Sequence, residues 1–261
     1  EEPFKEAVNY LAKFNTVTIA LYPGFGKTFL GTMLSWYINL KTCVLVHREN
    51  VGKQWITTFK KYFKIDEKLI CFVDKKINLE AKVFVCMDGR TDYIPKELKE
   101  QIGCLIIDEA HCFCAPSKVK PMLSFSPKYV IAETATPIKD NGMHTMIQSI
   151  CGTHYIKKTS SKPFKFYIIN TKLDFETESD KNPFGDLLTQ QCDSKERNKI
   201  ILDILENNQK YKTIVVSSRK HHCNFLHQQL AEKGLESSEL YGTKKNYKTS
   251  NILIGTGSKM G

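Results

Sequence analysis

"NTVTIALYPGFGKTFLGTMLSW", residues 15 to 36, passes from an apolar, β-branched run through a Gly-punctuated turn into a stretch with helical spacing. The run Thr16 to Leu21 predicts a buried strand, and a helix is expected from Thr28 to Leu40. Between them "YPGFG" is short, and its two glycines let backbone N–H groups converge on one point above a helix N-terminus. Such a nest suits phosphate. Gly24, Phe25 and Gly26 would supply the cradle, Lys27 would reach the β- and γ-phosphates, and the Thr28 hydroxyl would ligate Mg²⁺. The plainer alternative is a tight turn followed by a lysine, because the complete phosphate-loop pattern asks for glycine where this chain has Leu21.

Outward from this unit, apolar strands recur at Thr42 to His47, Leu69 to Val73, Lys82 to Met87, Cys104 to Ile107 and Tyr129 to Ala132. Helical stretches lie between them at Val51 to Phe63 and Ile94 to Gln101. Strands buried on both faces and alternating with helices predict an α/β protein built on parallel sheets flanked by helices. At Ile156 the sequence turns polar, "IKKTSSKP", which reads as a linker between domains at 1–155 and 164–261. A second series follows: a strand at Phe164 to Asn170, a helix at Ser194 to Glu206 with Ser194 as N-cap, and a strand at Thr213 to Ser217. A helix at Arg219 to Lys233 and a strand at Asn251 to Thr256 complete it, while Thr171 to Gln191 carries no assignable pattern.

The 261 residues are 41% hydrophobic and 25% charged, ordinary for a globular protein, and no apolar run is long enough to span a bilayer. No membrane association is expected. Nine cysteines without framework spacing, several inside apolar strands, point to a reducing intracellular compartment, cytoplasm or nucleus. A net charge of +10 favours a polyanionic partner. "HCFC" at 111–114 and "HHC" at 221–223 offer soft ligands, yet neither has a partner pair at zinc-site spacing.

The second constellation is "CLIIDEAH", residues 104 to 111, where four apolar residues deliver two carboxylates to the carboxyl end of a strand. In an open α/β sheet that end is where ligands bind. Asp108 can hold Mg²⁺ and Glu109 can orient and deprotonate an attacking water. Two halves of one metal–nucleotide site in a single chain outweigh a solvated strand cap.

"GFGKT", "DEAH" and "TATP" (Thr134 to Pro137) occur in an order that resembles the superfamily 2 helicases of the DEAH type. With "VLVHRENVGKQW" (44–55) and "ILIGTGSKMG" (252–261), the resemblance leans to helicases of large DNA viruses, such as the poxvirus transcript-release helicase, and to phage branch-migration helicases. It implies two tandem RecA-like domains, the second incomplete at the C-terminus, with ATP and Mg²⁺ bound in the cleft between them. It further implies coupling of nucleotide state to nucleic-acid grip through His111, Thr134 and Thr136. Backbone contacts to DNA or RNA would come from Arg48, Gln54, Arg90, Thr91, Ser218, Arg219, Thr256 and Lys259. A viral RNA polymerase or transcription complex is a further implied partner.

The family's phosphate loop usually carries alanine and threonine where this chain has Leu21 and Pro23, and no upstream adenine-reading glutamine motif is evident, so ATP over GTP rests on the resemblance. The chain ends at Gly261, before the family's arginine-bearing motif, and these residues alone are expected to hydrolyse ATP weakly. Two alternatives stand beside a helicase: a nucleic-acid-stimulated ATPase that remodels a polymerase complex without unwinding, and a nonenzymatic nucleic-acid-binding scaffold.

Overall fold

A computed structural model describes residues 2–137, 142, 145–160, 163–177, 180–243 and 250–257. The chain divides into two compact units, Glu1–Pro163 and Phe164–Gly261. In chain order the first unit comprises α1 (Glu2–Phe14), β1 (Thr16–Leu21), α2 (Lys27–Ile38), β2 (Thr42–Val46), α3 (Glu49–Phe63), β3 (Ile70–Phe72) and β4 (Val83–Met87). It continues with α4 (Lys96–Gln101), β5 (Cys104–Ile107), α5 (Pro116–Leu123), β6 (Tyr129–Thr134), α6 (Thr145–Cys151) and β7 (Tyr155–Lys158).

Its strands form one parallel sheet in the order β3-β4-β2-β5-β6-β1-β7. Alternation along β5 shows why both faces are covered. Leu105 and Ile107 enter one core with Leu98, Phe113 and Ile147, while Cys104 and Ile106 enter the other with Leu34, Trp55 and Phe59. Because Ala20 pairs with Thr134 and Ile107 with Ala132, the ends of β1, β5 and β6 fall on one edge of the sheet. Everything chemically notable in this unit follows from that register.

The second unit comprises α7 (Pro183–Asp193), α8 (Lys195–Asn207), β8 (Thr213–Ser217), α9 (Lys220–Glu232), β9 (Ser237–Leu240) and β10 (Ile252–Thr256). Its parallel sheet runs β8-β10-β9. One face packs Val215, Ile252 and Ile254 against Leu202, Leu226 and Leu230. On the other, Ile214 and Val216 are 65% and 60% exposed. The fold is thus α/β with tandem RecA-like units, the second smaller than the first. No helix among the described residues is long and apolar enough to cross a membrane.

Several elements depart from the sequence expectation. Phe164 to Asn170 is not a strand: the segment has no ladder partner among the described residues, and Phe164, Phe166 and Ile168 are largely exposed. Alternation marks a chain that can pair, but a strand exists only where a neighbour accepts its N–H groups. The linker expected from Ile156 overlaps β7 (Tyr155–Lys158), an edge strand on β1 that buries Ile156. The unassigned stretch holds α7, opened by an Asn182 side chain that accepts from the Gly185 amide at 3.0 Å, with Pro183 in its first turn. Ser194 caps α8 as expected, accepting from Arg197 N–H at 3.2 Å.

Candidate functional site

After β1 the chain turns sharply. The Phe25 amide donates to Tyr22 O, and Gly24 and Gly26 take φ of 82° and 101°, a region that side-chain-bearing residues avoid. A Cβ at Gly24 would meet nothing within 4 Å, so the loop is an open cradle rather than a packed turn. Gly26 is the N-cap of α2, and no side chain caps that helix end. The amides of the first turn therefore face outward with the dipole's positive end behind them. Lys27 Nζ donates to Leu21 O at 3.1 Å, folded back over its own loop, and Thr28 is half-buried.

Asp108 follows β5 and is 5% exposed. Its Oδ2 accepts from the Trp55 indole N–H at 2.7 Å, a partner that sequence reading missed because it lies 53 positions away. Burial raises the Asp108 pKa, and the Trp55 bond opposes the shift. Glu109 sits at φ 47°, ψ 53°, a left-handed conformation that costs a non-glycine residue about 1–3 kcal/mol. Its Oε2 lies 3.2 Å from His111 Nδ1, and that contact holds the Glu109 carboxyl below the usual range. His111, in contact with Cys112 and Glu109, is pushed up to about 9. The same Nδ1 is 3.0 Å from Thr134 Oγ1, which accepts from the Thr136 amide at 3.0 Å. Glu109, His111, Thr134 and Thr136 thus form one contact chain across the ends of β5 and β6.

Lys27 belongs to the same electrostatic neighbourhood, since its charge opposes the rise in pKa of Asp108 and Glu133 and adds to the lowering of Glu109, subordinate in each to other causes. Glu133 was not anticipated. It is wholly buried near the end of β6, with no hydrogen-bond partner for either carboxyl oxygen among the described residues. Burial, then the charge of Asp108, pushes its pKa well above the carboxylate range. Gly31 of α2 makes the room: a Cβ there would collide with Glu133 Oε1 and lie 2.7 Å from Trp55 Cη2.

The open cradle, the uncapped helix end, Thr28 and one buried carboxylate suit a Mg²⁺–phosphate ligand, because Mg²⁺ is usually held by one or two carboxylates plus substrate oxygens and water. Among the described residues no group of three or more His, Cys, Asp and Glu is placed to hold a metal by itself.

The residues expected to meet nucleic acid are placed unequally. Arg48 is the N-cap of α3, and its buried Nη1 has no partner among the described residues. Gln54 and Ser218 are exposed. Arg90 is engaged by its own unit, donating to Val73 O at 3.3 Å and lying 3.9 Å from Asp74 Oδ2, and Thr91 is buried. Arg219 Nη2 donates to Gly185 O at 2.7 Å. Thr256 is buried at the end of β10, and Lys259 lies outside the described residues. Beside Arg219 runs a network that sequence reading missed: Ser217 Oγ to His222 Nδ1 at 2.9 Å, His222 Nε2 to Asn198 Oδ1 at 2.8 Å, and Asn198 Nδ2 to Cys192 O at 2.7 Å.

Comparison with known proteins agrees with this architecture. The protein named "Putative helicase 161L" of Invertebrate iridescent virus 6 is 24% identical over 287 residues, covering 98% of this chain and 65% of that protein. The chain thus spans less than two thirds of that relative's length. The Hef helicase domain of Pyrococcus furiosus superposes with a TM-score of 0.57 at 14% identity, covering 97% of this chain and 85% of that one. The S. cerevisiae Dbp5 structure bound to RNA and ADP BeF3 gives 0.63 at 13%, covering 98% and 69%. The family model described as "Type III restriction enzyme, res subunit" matches residues 2–139, more than half of the chain, and the chain belongs to that family, within the superfamily 2 helicases.

Proposed function

We infer that this chain is the motor core of an ATP-dependent helicase or translocase acting on DNA or RNA. The observation that carries the reading is the gathering, on one edge of a parallel sheet, of the open Gly24–Gly26 loop with Lys27 and the Asp108–Glu109 pair. In this reading the Lys27 ammonium would leave the Leu21 carbonyl for phosphate oxygens, and Thr28 and Asp108 would hold the metal. Bound Mg²⁺ would supply charge neutralisation at the phosphates. Glu109, kept anionic by His111, orients the attacking water and accepts its proton. His111, Thr134 and Thr136 pass the state of the site along β6. Arg48, Gln54 and Ser218 are the candidates best placed to meet a phosphate backbone, and the net charge of +10 supports a polyanionic partner.

The finer form of the proposal is work in viral transcription, with a polymerase complex as partner. All nine cysteines are free, which supports a reducing intracellular site of action. The test is nucleotide binding and ATP turnover with and without single-stranded RNA, single-stranded DNA and duplex DNA, followed by strand displacement on tailed duplexes. Lys27→Ala is expected to weaken nucleotide binding about 10- to 100-fold, the worth of hydrogen bonds to a charged group. Unchanged affinity and turnover in that variant would overturn the site. Stimulated turnover without displacement would favour a remodelling ATPase.

A further inference from the structure

The chain has two tryptophans in opposite settings: Trp36 is 61% exposed on α2, and Trp55 is fully buried in α3. Filling a core position against Phe59 asks only for an apolar ring, and a phenylalanine would serve. An indole adds one N–H donor and no acceptor, and a buried donor is costly unless it is satisfied. Here it is satisfied by a carboxylate, Asp108 Oδ2, at 2.7 Å. The backbone has made way for it, because the ring edge occupies the space over Gly31 that any larger residue would need. Trp55 therefore touches both the helix that begins at Lys27 and the carboxylate after β5, and it lies two turns along the helix that begins after Arg48.

We propose that Trp55 is a positioning residue for Asp108: its indole N–H fixes carboxylate oxygen Oδ2 so that Asp108 meets the metal in one orientation. The assignment rests on reading the Gly24–Thr28 loop and Asp108 as a Mg²⁺–nucleotide site. Partners that orient a metal-linked carboxylate typically matter by 10- to 100-fold in metal affinity or activity. Trp55→Phe keeps an aromatic ring in the core and removes the donor together with the second ring of the indole.

The decisive measurement is binding of a fluorescent ADP analogue to the 261-residue chain, titrated with Mg²⁺ and repeated in EDTA. Trp55→Phe is expected to raise the Mg²⁺ concentration for half-maximal binding about 10- to 100-fold, with metal-free binding unchanged. A merely structural tryptophan would instead weaken both forms of binding alike, and that result, or an unshifted Mg²⁺ requirement, would overturn the assignment. A second measurement leaves position 55 untouched. In Trp36→Phe protein only Trp55 emits, and its fluorescence should change with ADP plus Mg²⁺ but not with ADP in EDTA. Indifference to Mg²⁺ there would also overturn it. Wild-type protein that binds the analogue equally with and without Mg²⁺, or not at all, would overturn the nucleotide-site reading first and this assignment with it.

Discussion

The strand ends of the two units are built to different plans. At the ends of β5 and β6 the first unit collects Asp108, Glu109 and Glu133 around Lys27 and an open glycine loop, with one residue held at strained φ and one carboxyl wholly unpaired. At the end of β8 the second unit places Ser217, His222 and Asn198 in a closed network that ends on the Cys192 carbonyl. Its neighbour Arg219 is tied to Gly185 O. Charge, strain and unspent hydrogen-bonding capacity gather where bonds are to be changed. Satisfied neutral networks gather where shape has to be kept.

The strongest way to break this contrast is at Glu109. Glu109→Gln is nearly isosteric and keeps an acceptor but cannot take a proton. It should lower single-turnover ATP hydrolysis about 10²- to 10⁴-fold, the usual worth of a general base, while nucleotide binding persists. Comparable losses from Ser217→Ala in the second unit would erase the distinction between the two strand ends.

A middle-sized effect is expected at Glu133. Its folded pKa is raised, so the folded protein holds that proton to higher pH than the unfolded chain, and stability is lost as pH rises above the ordinary value near 4.5. Glu133→Gln removes the titration. The variant should match the wild type below that pH and exceed it at neutral pH by up to about 3 kcal/mol, since the linkage penalty builds at about 1.4 kcal/mol for each pH unit above the ordinary value. Thermal melts across pH 4 to 8 read this directly, and a variant less stable than wild type at pH 7 would mean that Glu133 has a partner worth keeping.

These residues also mark where the sequence was legible. The β1–loop–α2 unit could be read because each part carries a local signal: β-branched apolar residues, two glycines, then helical spacing. Asp108 and Glu109 could be read because four apolar residues point at them. Glu133 could not, since the apolar run closes at Ala132 and only the pairing of β6 with β1 shows that the strand continues into the core. Trp55 carried no signal at all, because nothing local says that an indole N–H has a carboxylate 53 residues away. In the second unit the Asn182–Pro183 signal for α7 was present but lay in acidic surroundings, whereas Phe164 to Asn170 had the alternation of a strand without a neighbour to complete it.

The smallest effect distinguishes the units by the opposite sign. His222 is buried, and burial lowers its pKa to about 4. Below the ordinary value near 6.5 the unfolded chain takes up a proton that the folded protein refuses, so stability falls as pH drops from about 6.5 to about 4 and levels off beneath that. The loss should be on the order of 1 kcal/mol, discounted for screening because His222 borders a solvent-open cavity of about 370 Å³. Histidine NMR shifts should show His222 neutral through pH 5 to 8, while His111, raised to about 9, is still protonated at pH 7.5. The geometry explains why the two diverge: His111 Nδ1 faces the Glu109 carboxylate, whereas His222 is buried between a hydroxyl and an amide oxygen, neutral acceptors that offset burial of a positive ring less than a carboxylate does. Asn198→Asp would supply that missing charge, and it should move the His222 titration upward toward the His111 value. If the Asn198→Asp titration stays near 4, burial rather than partner chemistry separates the two histidines.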